Sequence, residues 1–291
     1  MIDLITIRLD GNYTLPAGAI IKGETANGVM RASLGNMGLF LTSKGLTIRG
    51  SLARYLRGEN VGEMTLAMVR EAIEKLELEL GYSIKTGLVR ELEIGRTLIV
   101  SRPAIWYLEL WGTLPGFQKD TYGNGETVLF RNGIRSFQGY DKGREAGEAV
   151  PELYKGRFLL RLEMKLKRRV ARILDGPVTV ERLADQKLYV RLLKAWKRLY
   201  FRIPKKRVPH LVFTGGQRDL TKSLAAVGLA FLGGPEGINK DLSSRTDLEN
   251  YTKSKMKREI RELSQAPDWT DPESLIQELD RKVRGAAAFF R

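Results

Sequence analysis

The sequence predicts an α+β fold, with an antiparallel sheet domain over residues 1–172 and a mainly helical region over residues 173–291. Three observations support this prediction. The first half is rich in short segments in which apolar and polar residues alternate, separated by glycine turns. An amphipathic helical pattern interrupts them near residue 70, and helical periods dominate after residue 177. Strands followed by helices are typical of α+β domains rather than of alternating βαβ units.

Period-two alternation marks the strands. Ile5, Ile7 and Leu9 alternate with polar residues in the first strand, and residues 38–50 form two strands around a turn at residues 43–45. Further strands are predicted over residues 88–99, 127–130 and 136–140. We detect no internal repeat in the sequence.

Residues 158–167 give the clearest strand pattern. The apolar residues, which we expect to face a core, are Leu160, Leu162, Met164 and Leu166. The residues between them, which we expect to display charge on the opposite face, are Arg161, Glu163, Lys165 and Lys167.

Capping residues and apolar stripes place the helices. Thr65 is a predicted N-cap for a helix over residues 65–80, and Thr179 for a short helix that ends at Ala184. A basic amphipathic helix follows over residues 186–200. Further helices are predicted near residues 217–231, 245–264 and 271–285.

Composition limits the kinds of site that the chain can build. It has 291 residues, of which 43% are hydrophobic and 29% charged, as in soluble globular proteins. It has no apolar run of membrane-spanning length and no signal-peptide pattern, so we expect a cytoplasmic protein without a membrane partner. Cysteine is absent, and His210 is the only histidine. A metal would therefore be held by carboxylates, which suits Mg²⁺ or Mn²⁺.

Positive charge is concentrated in one stretch of the chain. The net charge is +15, and residues 155–207 contain 18 basic residues against four acids, a net charge of +14. Such a concentration indicates a nucleic-acid partner, because bound basic side chains release counterions from phosphates. An anionic membrane surface and a merely solvated basic face are weaker alternatives.

Three segments carry residues suited to chemistry on DNA: residues 50–60, 136–145 and 160–167. Together with the start of the chain, they resemble the gene II-type replication initiators of filamentous phages and the related plasmid initiators. The resemblance covers about residues 1–200 with the motif order preserved. The matching positions are Met1–Ile2–Asp3; Ser51, Arg54, Gly58 and Asn60; Glu91–Leu92–Glu93; Tyr140, Lys142 and Glu145; and Arg161, Glu163 and Lys167.

The resemblance implies a nicking domain similar to rolling-circle initiator endonucleases. Tyr140 would be the nucleophile, forming a covalent 5′-phosphotyrosine at an origin and releasing a 3′-hydroxyl that primes replication of a phage or plasmid. Lys142, expected on the same strand face, would stabilise developing charge, with Glu145 as a further catalytic group. Single-stranded or supercoiled origin DNA would be the substrate, and host helicase and polymerase are further expected partners.

We also expect a carboxylate-bound Mg²⁺ or Mn²⁺, with Glu93, Glu145 and Glu163 as candidate ligands or bases, of which Glu93 and Glu163 are the expected ligands, and with Glu59 as a weaker fourth candidate. The family's Arg-Ile-Asp strand is Glu91–Leu92–Glu93 in this chain, and Glu59 stands where relatives can have histidine. The expected nucleic-acid-binding residues are Arg54, Arg161, Lys165, Lys167, Arg168, Arg169, Lys194, Lys197 and Arg198.

Structural roles remain open for the same residues. Tyr140 could be a half-buried packing residue, Asp141 a turn or cap residue, and Lys142 a surface partner of Glu145. Arg161 and Glu163 could form a structural ion pair. Two other functions also remain open: an origin-binding protein without cleavage activity, and a relaxase or transposase that uses the same tyrosine chemistry.

Overall fold

The computed structural model describes residues 2–167, 170–206, 234–264 and 272–288, together with positions 221, 224, 225 and 228. Over these residues the chain is an α+β protein with one ten-stranded antiparallel sheet and nine α-helices, which lie mostly toward the C-terminus. The predicted α+β class with an antiparallel sheet is thereby confirmed. Arg168, Arg169, His210 and most of the helix expected at residues 217–231 lie outside the described residues.

Ten strands form the sheet, in the order β2-β3-β4-β5-β1-β6-β10-β9-β8-β7. Their bounds are β1 Ile2–Asp10, β2 Ile20–Glu24, β3 Met30–Leu34, β4 Met37–Thr42, β5 Gly45–Ser51, β6 Leu88–Val100, β7 Gln118–Tyr122, β8 Thr127–Arg131, β9 Arg135–Asp141 and β10 Phe158–Leu166. The predicted strands are confirmed. β2, β3 and β7 are not among the predicted strands. β2 and β7 lack a pattern of alternating burial because both are edge strands that bury none of their residues.

The sheet consists of two halves with the same topology. β1 is followed by the meander β2–β5, whose last strand returns to pair with β1. β6 is followed in the same way by β7–β10, whose last strand pairs with β6. β1 and β6 then pair antiparallel and join the halves at the centre. The repetition is in topology, and the sequence does not display it.

The two faces of the central strands differ in character. Leu160, Leu162, Met164 and Leu166 of β10 are fully buried, as predicted for the apolar face. Trp196 packs on this side and donates a 3.1 Å hydrogen bond from Nε1 to the carbonyl of Leu162. The opposite face carries Arg161 and Glu163, which are only 3% and 4% exposed. The expectation that this face displays its charge is therefore wrong for Arg161 and Glu163, because neighbouring polar groups enclose these two side chains.

Nine α-helices complete the described fold. They are α1 Leu52–Arg57, α2 Leu66–Leu80, α3 Ala104–Glu109, α4 Lys142–Ala146, α5 Val170–Ile173, α6 Gln186–Phe201, α7 Gly234–Ser244, α8 Asn250–Ser264 and α9 Pro272–Ala288. Thr65 caps α2 as predicted and accepts from the backbone N–H of Met68. Thr179 does not cap a helix; a short 3₁₀ turn, Glu181–Ala184, begins after Val180 instead. No described helix has both the length and the apolar character needed to cross a membrane.

The chain divides into two compact units. The first comprises Met1–Leu108, Thr113–Pro204 and Lys282–Arg291, and it contains the whole sheet. It also contains α6, which the sequence had grouped with the C-terminal region, because the apolar side of this helix is buried in the first unit. The second unit comprises Glu109–Gly112 and Lys205–Arg281, and in it burial lowers the pKa of Lys205 to about 8.

Candidate active site

Three carboxylates from the three central strands meet on the polar face of the sheet. Asp3 lies on β1, Glu93 on β6 and Glu163 on β10. Each offers one carboxylate oxygen, and these oxygens lie within 4.8 Å of one another. Within the described part of the chain, this is the only group of three or more such side chains that could hold a metal ion. We call Asp3, Glu93 and Glu163 the acidic cluster.

A bulge in β1 brings Asp3 to this face. Strict alternation with Ile5 and Ile7 would place Asp3 on the apolar face. However, β1 advances three residues from Ile2 to Ile5 while β6 advances two from Ile94 to Leu92. The extra residue in β1 turns the Asp3 side chain to the polar face, and β-bulges commonly reorient side chains in this way near functional sites. Sequence reasoning did not identify Asp3 as a site residue. The signal that could have found it is an acidic residue at a position where alternation with Ile5 and Ile7 predicts an apolar side chain.

Hydrogen bonds hold the Asp3 carboxylate in place. Ser51, which also caps α1, donates its hydroxyl to Oδ1 of Asp3. Nδ2 of Asn60 donates to Oδ2 of Asp3 at 2.9 Å. Both donors belong to the first motif segment, residues 50–60, so this segment serves to orient one member of the acidic cluster.

Arg161 lies inside the cluster. Its Nη2 donates to Oδ2 of Asp3 at 2.8 Å and its Nε to Oε1 of Glu163 at 2.9 Å. Its Nη1 donates to the backbone oxygen of Asn60 and to the hydroxyl of Thr97. Buried and fully engaged, Arg161 is not placed to contact DNA. We correct its expected role to that of a positioning residue that holds two carboxylates together.

Gly95 makes room for this guanidinium group. Gly95 is paired with Glu163 across β6 and β10, and a Cβ atom added at Gly95 would collide with the guanidinium of Arg161. The strand therefore needs glycine at this position because the Arg161 side chain lies directly against its backbone.

Full ionisation of the three acids would give the cluster more negative than positive charge. Arg161 supplies one positive charge within it, and Nζ of Lys165 lies 3.7 Å from Oε2 of Glu93. Burial, followed by the nearby charges of Glu163 and Asp3, raises the pKa of Glu93 to about 8, although Lys165 and Arg161 act in the opposite direction. Glu93 thus retains a proton at neutral pH, and a divalent cation would favour its ionised form.

Tyr140 reaches the cluster from the neighbouring strand β9. It is paired with Arg161, and its hydroxyl donates to Oε1 of Glu163 at 2.9 Å. Gln138, two residues earlier on the same face, donates to Oε2 of Glu163 at 2.5 Å. Burial, followed by the charge of Glu163, raises the pKa of the Tyr140 phenol. The resting side chain is therefore a neutral phenol beside a proton acceptor.

Lys142 does not lie on the strand, contrary to the expectation that it shares a strand face with Tyr140. Asp141 ends β9 and caps α4 by accepting from the backbone N–H of Arg144 at 2.9 Å, so Lys142 is the first residue of that helix. The Lys142 side chain is fully buried. Its Nζ lies 6.0 Å from the centroid of the Tyr140 ring, so the two side chains remain close.

A second polar network surrounds the Lys142 ammonium group. Nζ of Lys142 donates to Oδ1 of Asn60 at 2.8 Å and to Oε2 of Glu145 at 2.5 Å. Glu145 also pairs with Arg54 at 3.4 Å. Because Asn60 contacts Asp3 as well, this network adjoins the acidic cluster, and Glu145 belongs to it rather than to the three carboxylates.

The other predicted residues take different places. Glu59 accepts from the backbone N–H groups of Val61 and Gly62, so it shapes its own loop and is not in the acidic cluster. Arg54 and Lys165 lie beside the site and remain partly exposed. Lys167 follows β10 and is half-buried. The basic residues Lys194, Lys197 and Arg198 lie on α6, which packs on the opposite face of the sheet.

This arrangement combines a phenol, a proton acceptor and a set of oxygen ligands suited to a hard cation. In comparisons with known proteins, no family model and no curated protein matches the chain.

Proposed function

We propose that this protein nicks and rejoins one DNA strand at an origin through a covalent bond to Tyr140, and so initiates rolling-circle replication of a phage or plasmid. One observation carries the proposal: the Tyr140 hydroxyl is hydrogen-bonded to Glu163, a member of the acidic cluster. A nucleophile and a candidate cation site thus share one carboxylate.

The convergence of the motif residues supports the same proposal. Ten of the residues that matched the initiator pattern are scattered between positions 3 and 163, yet they form two adjoining polar networks. The members are Asp3, Ser51, Arg54, Asn60, Glu93, Tyr140, Lys142, Glu145, Arg161 and Glu163. A shared location is expected of residues that serve one reaction, and it is not required of residues that merely stabilise separate strands.

The proposed reaction uses groups that are already in place. The Tyr140 oxygen attacks a DNA phosphorus, a new O–P bond forms, and the P–O3′ bond breaks. The phenolic proton passes to Glu163, the departing 3′-oxygen takes a proton from water, and Glu163 returns its proton to the hydroxide ion that this leaves. Because burial and Glu163 raise the pKa of Tyr140, the proton must leave as the attack proceeds rather than beforehand. The reverse reaction rejoins the strand without ATP.

The donor set fits Mg²⁺ or Mn²⁺. Asp3, Glu93 and Glu163 would hold the ion with carboxylate oxygens, and the positive charge of the ion would offset the burial and like charges that raise the pKa of Glu93. A bound divalent ion would polarise the scissile phosphate. The partly exposed Arg54 and Lys165 flank the site and are suited to contact the phosphates of the cleaved strand.

The test is incubation of the full chain with single-stranded origin DNA and Mg²⁺ or Mn²⁺, followed by denaturing electrophoresis. We expect a covalent protein–DNA adduct that depends on Tyr140. Binding without any adduct would instead identify an origin-binding protein in which the polar networks are structural. An adduct on DNA from a transfer origin or an element end would identify a relaxase or transposase.

A further inference from the structure

A stripe of basic residues runs along the exposed side of α6. Lys187, Arg191, Lys194 and Arg198 are all exposed. They are separated by four, three and four positions, which places them on one face of the helix. The stripe is about 16 Å long at a rise of 1.5 Å per residue. Apart from Arg191, which pairs with Asp175, these side chains form no ion pair within the described residues.

Two more arginines extend the stripe at the C-terminal end of α6. Arg202 follows the helix and Arg135 begins β9. Burial lowers the pKa of Arg135, and the charges of Arg202 and Arg198 lower it further. Arg135 lies over the ring of Phe117 at 5.6 Å, and Arg202 donates to the carbonyl of Pro115 at 3.2 Å. Three like charges are thus held close together, an arrangement that an anion would stabilise.

This surface lies on the other side of the sheet from the acidic cluster. Trp196 of α6 binds the carbonyl of Leu162 beneath the apolar face. The pairing of Arg135 with Leu166 puts Arg135 on that same face. The side chains of Tyr140 and Glu163 lie on the other face of the sheet, the polar face. One straight segment of DNA cannot lie against both surfaces at once.

The chemistry of the stripe favours duplex DNA. The guanidinium group of arginine can donate two hydrogen bonds to the oxygens of one phosphate. A straight row of positive charges also matches the regular spacing of phosphates along a rigid duplex. A membrane-surface helix needs an apolar face to insert among lipids, whereas the apolar face of α6 is buried against the sheet. Single strands are typically held by aromatic side chains that stack on the bases, and the four stripe positions on α6 carry only lysine and arginine.

We propose that Lys187, Arg191, Lys194 and Arg198, with Arg202 and Arg135, form a duplex-DNA surface separate from the nicking face. The duplex beside the origin is held on the helical face while the strand to be cut reaches the polar face. This inference rests on the proposed function for the identity of the polymer, but its test does not require nicking.

The test compares two variants with the same charge change. Lys194→Glu/Arg198→Glu alters the stripe, and Lys22→Glu/Arg90→Glu alters one exposed lysine and one exposed arginine elsewhere on the first unit. Both are made in a Tyr140→Phe background, so cleavage cannot affect binding. Affinity is measured by fluorescence anisotropy for a duplex and for one of its strands between 50 and 200 mM salt. Vesicles containing anionic lipid provide a third arm.

We expect the stripe variant to lose about tenfold or more in duplex affinity, with a log–log salt slope flatter by about two. The loss for the single strand and for the control variant should be much smaller. Equal losses in both variants would overturn the proposal, since net charge alone would then explain them. So would unchanged duplex binding, an equal loss for the single strand, or tighter binding to vesicles than to duplex. The absence of an adduct in the nicking assay would refute the proposed function and leave this comparison intact.

Discussion

The hydroxyl of Tyr140 and Oε1 of Glu163 are joined by a 2.9 Å hydrogen bond across β9 and β10. Glu163 also accepts from Arg161 and Gln138, so its position is fixed from three sides. The phenol is therefore held at a defined point beside the acidic cluster. Most of the expected behaviour of the site follows from this contact.

Replacing Tyr140 with phenylalanine should abolish adduct formation and leave DNA binding nearly intact. The ring keeps its packing, and Glu163 keeps two other donors, so the free energy of unfolding should fall by only about 1 kcal/mol. Denaturing electrophoresis and urea unfolding measure the two effects. Tyr122→Phe, at an exposed tyrosine on β7, is the control. A Tyr140→Phe protein that nicks at the wild-type rate would exclude this residue as the nucleophile.

Replacing Glu163 with glutamine should weaken Mn²⁺ binding and prevent nicking at the same time. The change removes one charge from the acidic cluster and a proton acceptor from Tyr140. Isothermal titration with Mn²⁺ and the adduct assay report the two effects. The matched control is Glu91→Gln on β6, a half-buried acid of the same face that lies outside the cluster. Full nicking in excess EDTA, or unchanged Mn²⁺ affinity in Glu163→Gln, would contradict the assignment.

Metal affinity should rise with pH up to about 8. Burial, Glu163 and Asp3 raise the pKa of Glu93 from 4.5 to about 8, so below that pH a cation must displace a proton. The metal-free protein should show the opposite trend: the unfolded chain loses this proton near pH 4.5 and the folded chain keeps it, so stability falls as the pH rises toward 8. Glu93→Gln should reduce both trends. Titration calorimetry and thermal melts at pH 6, 7 and 8 would show a flat response if the acid is not perturbed.

Replacing Arg161 with methionine should destabilise the metal-free protein by about 3–5 kcal/mol, because two buried carboxylates lose their positive partner. A bound divalent cation can supply the positive charge that Arg161 provides in the wild type. We therefore expect Mn²⁺ to raise the Tm of Arg161→Met more than that of the wild type. Chemical and thermal unfolding with and without Mn²⁺ measure this difference. An equal Mn²⁺ effect on both proteins would show that the ion does not bind beside Arg161.

The sequence predicts the polar face of β10 but not its burial. Alternation assigns Arg161 and Glu163 to one side of the strand, whereas their enclosure depends on Asp3 and Asn60, which are distant in sequence. The bulge at Asp3 breaks the alternation rule itself. Lys142 was misplaced because Asp141 starts a helix where the strand pattern could have continued. Local patterns thus predict elements and faces, and long-range contacts decide which side chains meet.

The pairing of distant strands also determines when the candidate site can form during synthesis of the chain. β1 pairs with β6, and β6 with β10, so the acidic cluster joins segments separated by most of the sheet. Pairings of this kind close late and favour slow folding. At typical translation rates, Glu163 leaves the ribosome on the order of ten seconds or more after Asp3. A nascent chain that has completed only its first five strands therefore carries neither Tyr140 nor two of the three carboxylates, and the candidate site cannot form until the second half has emerged and docked.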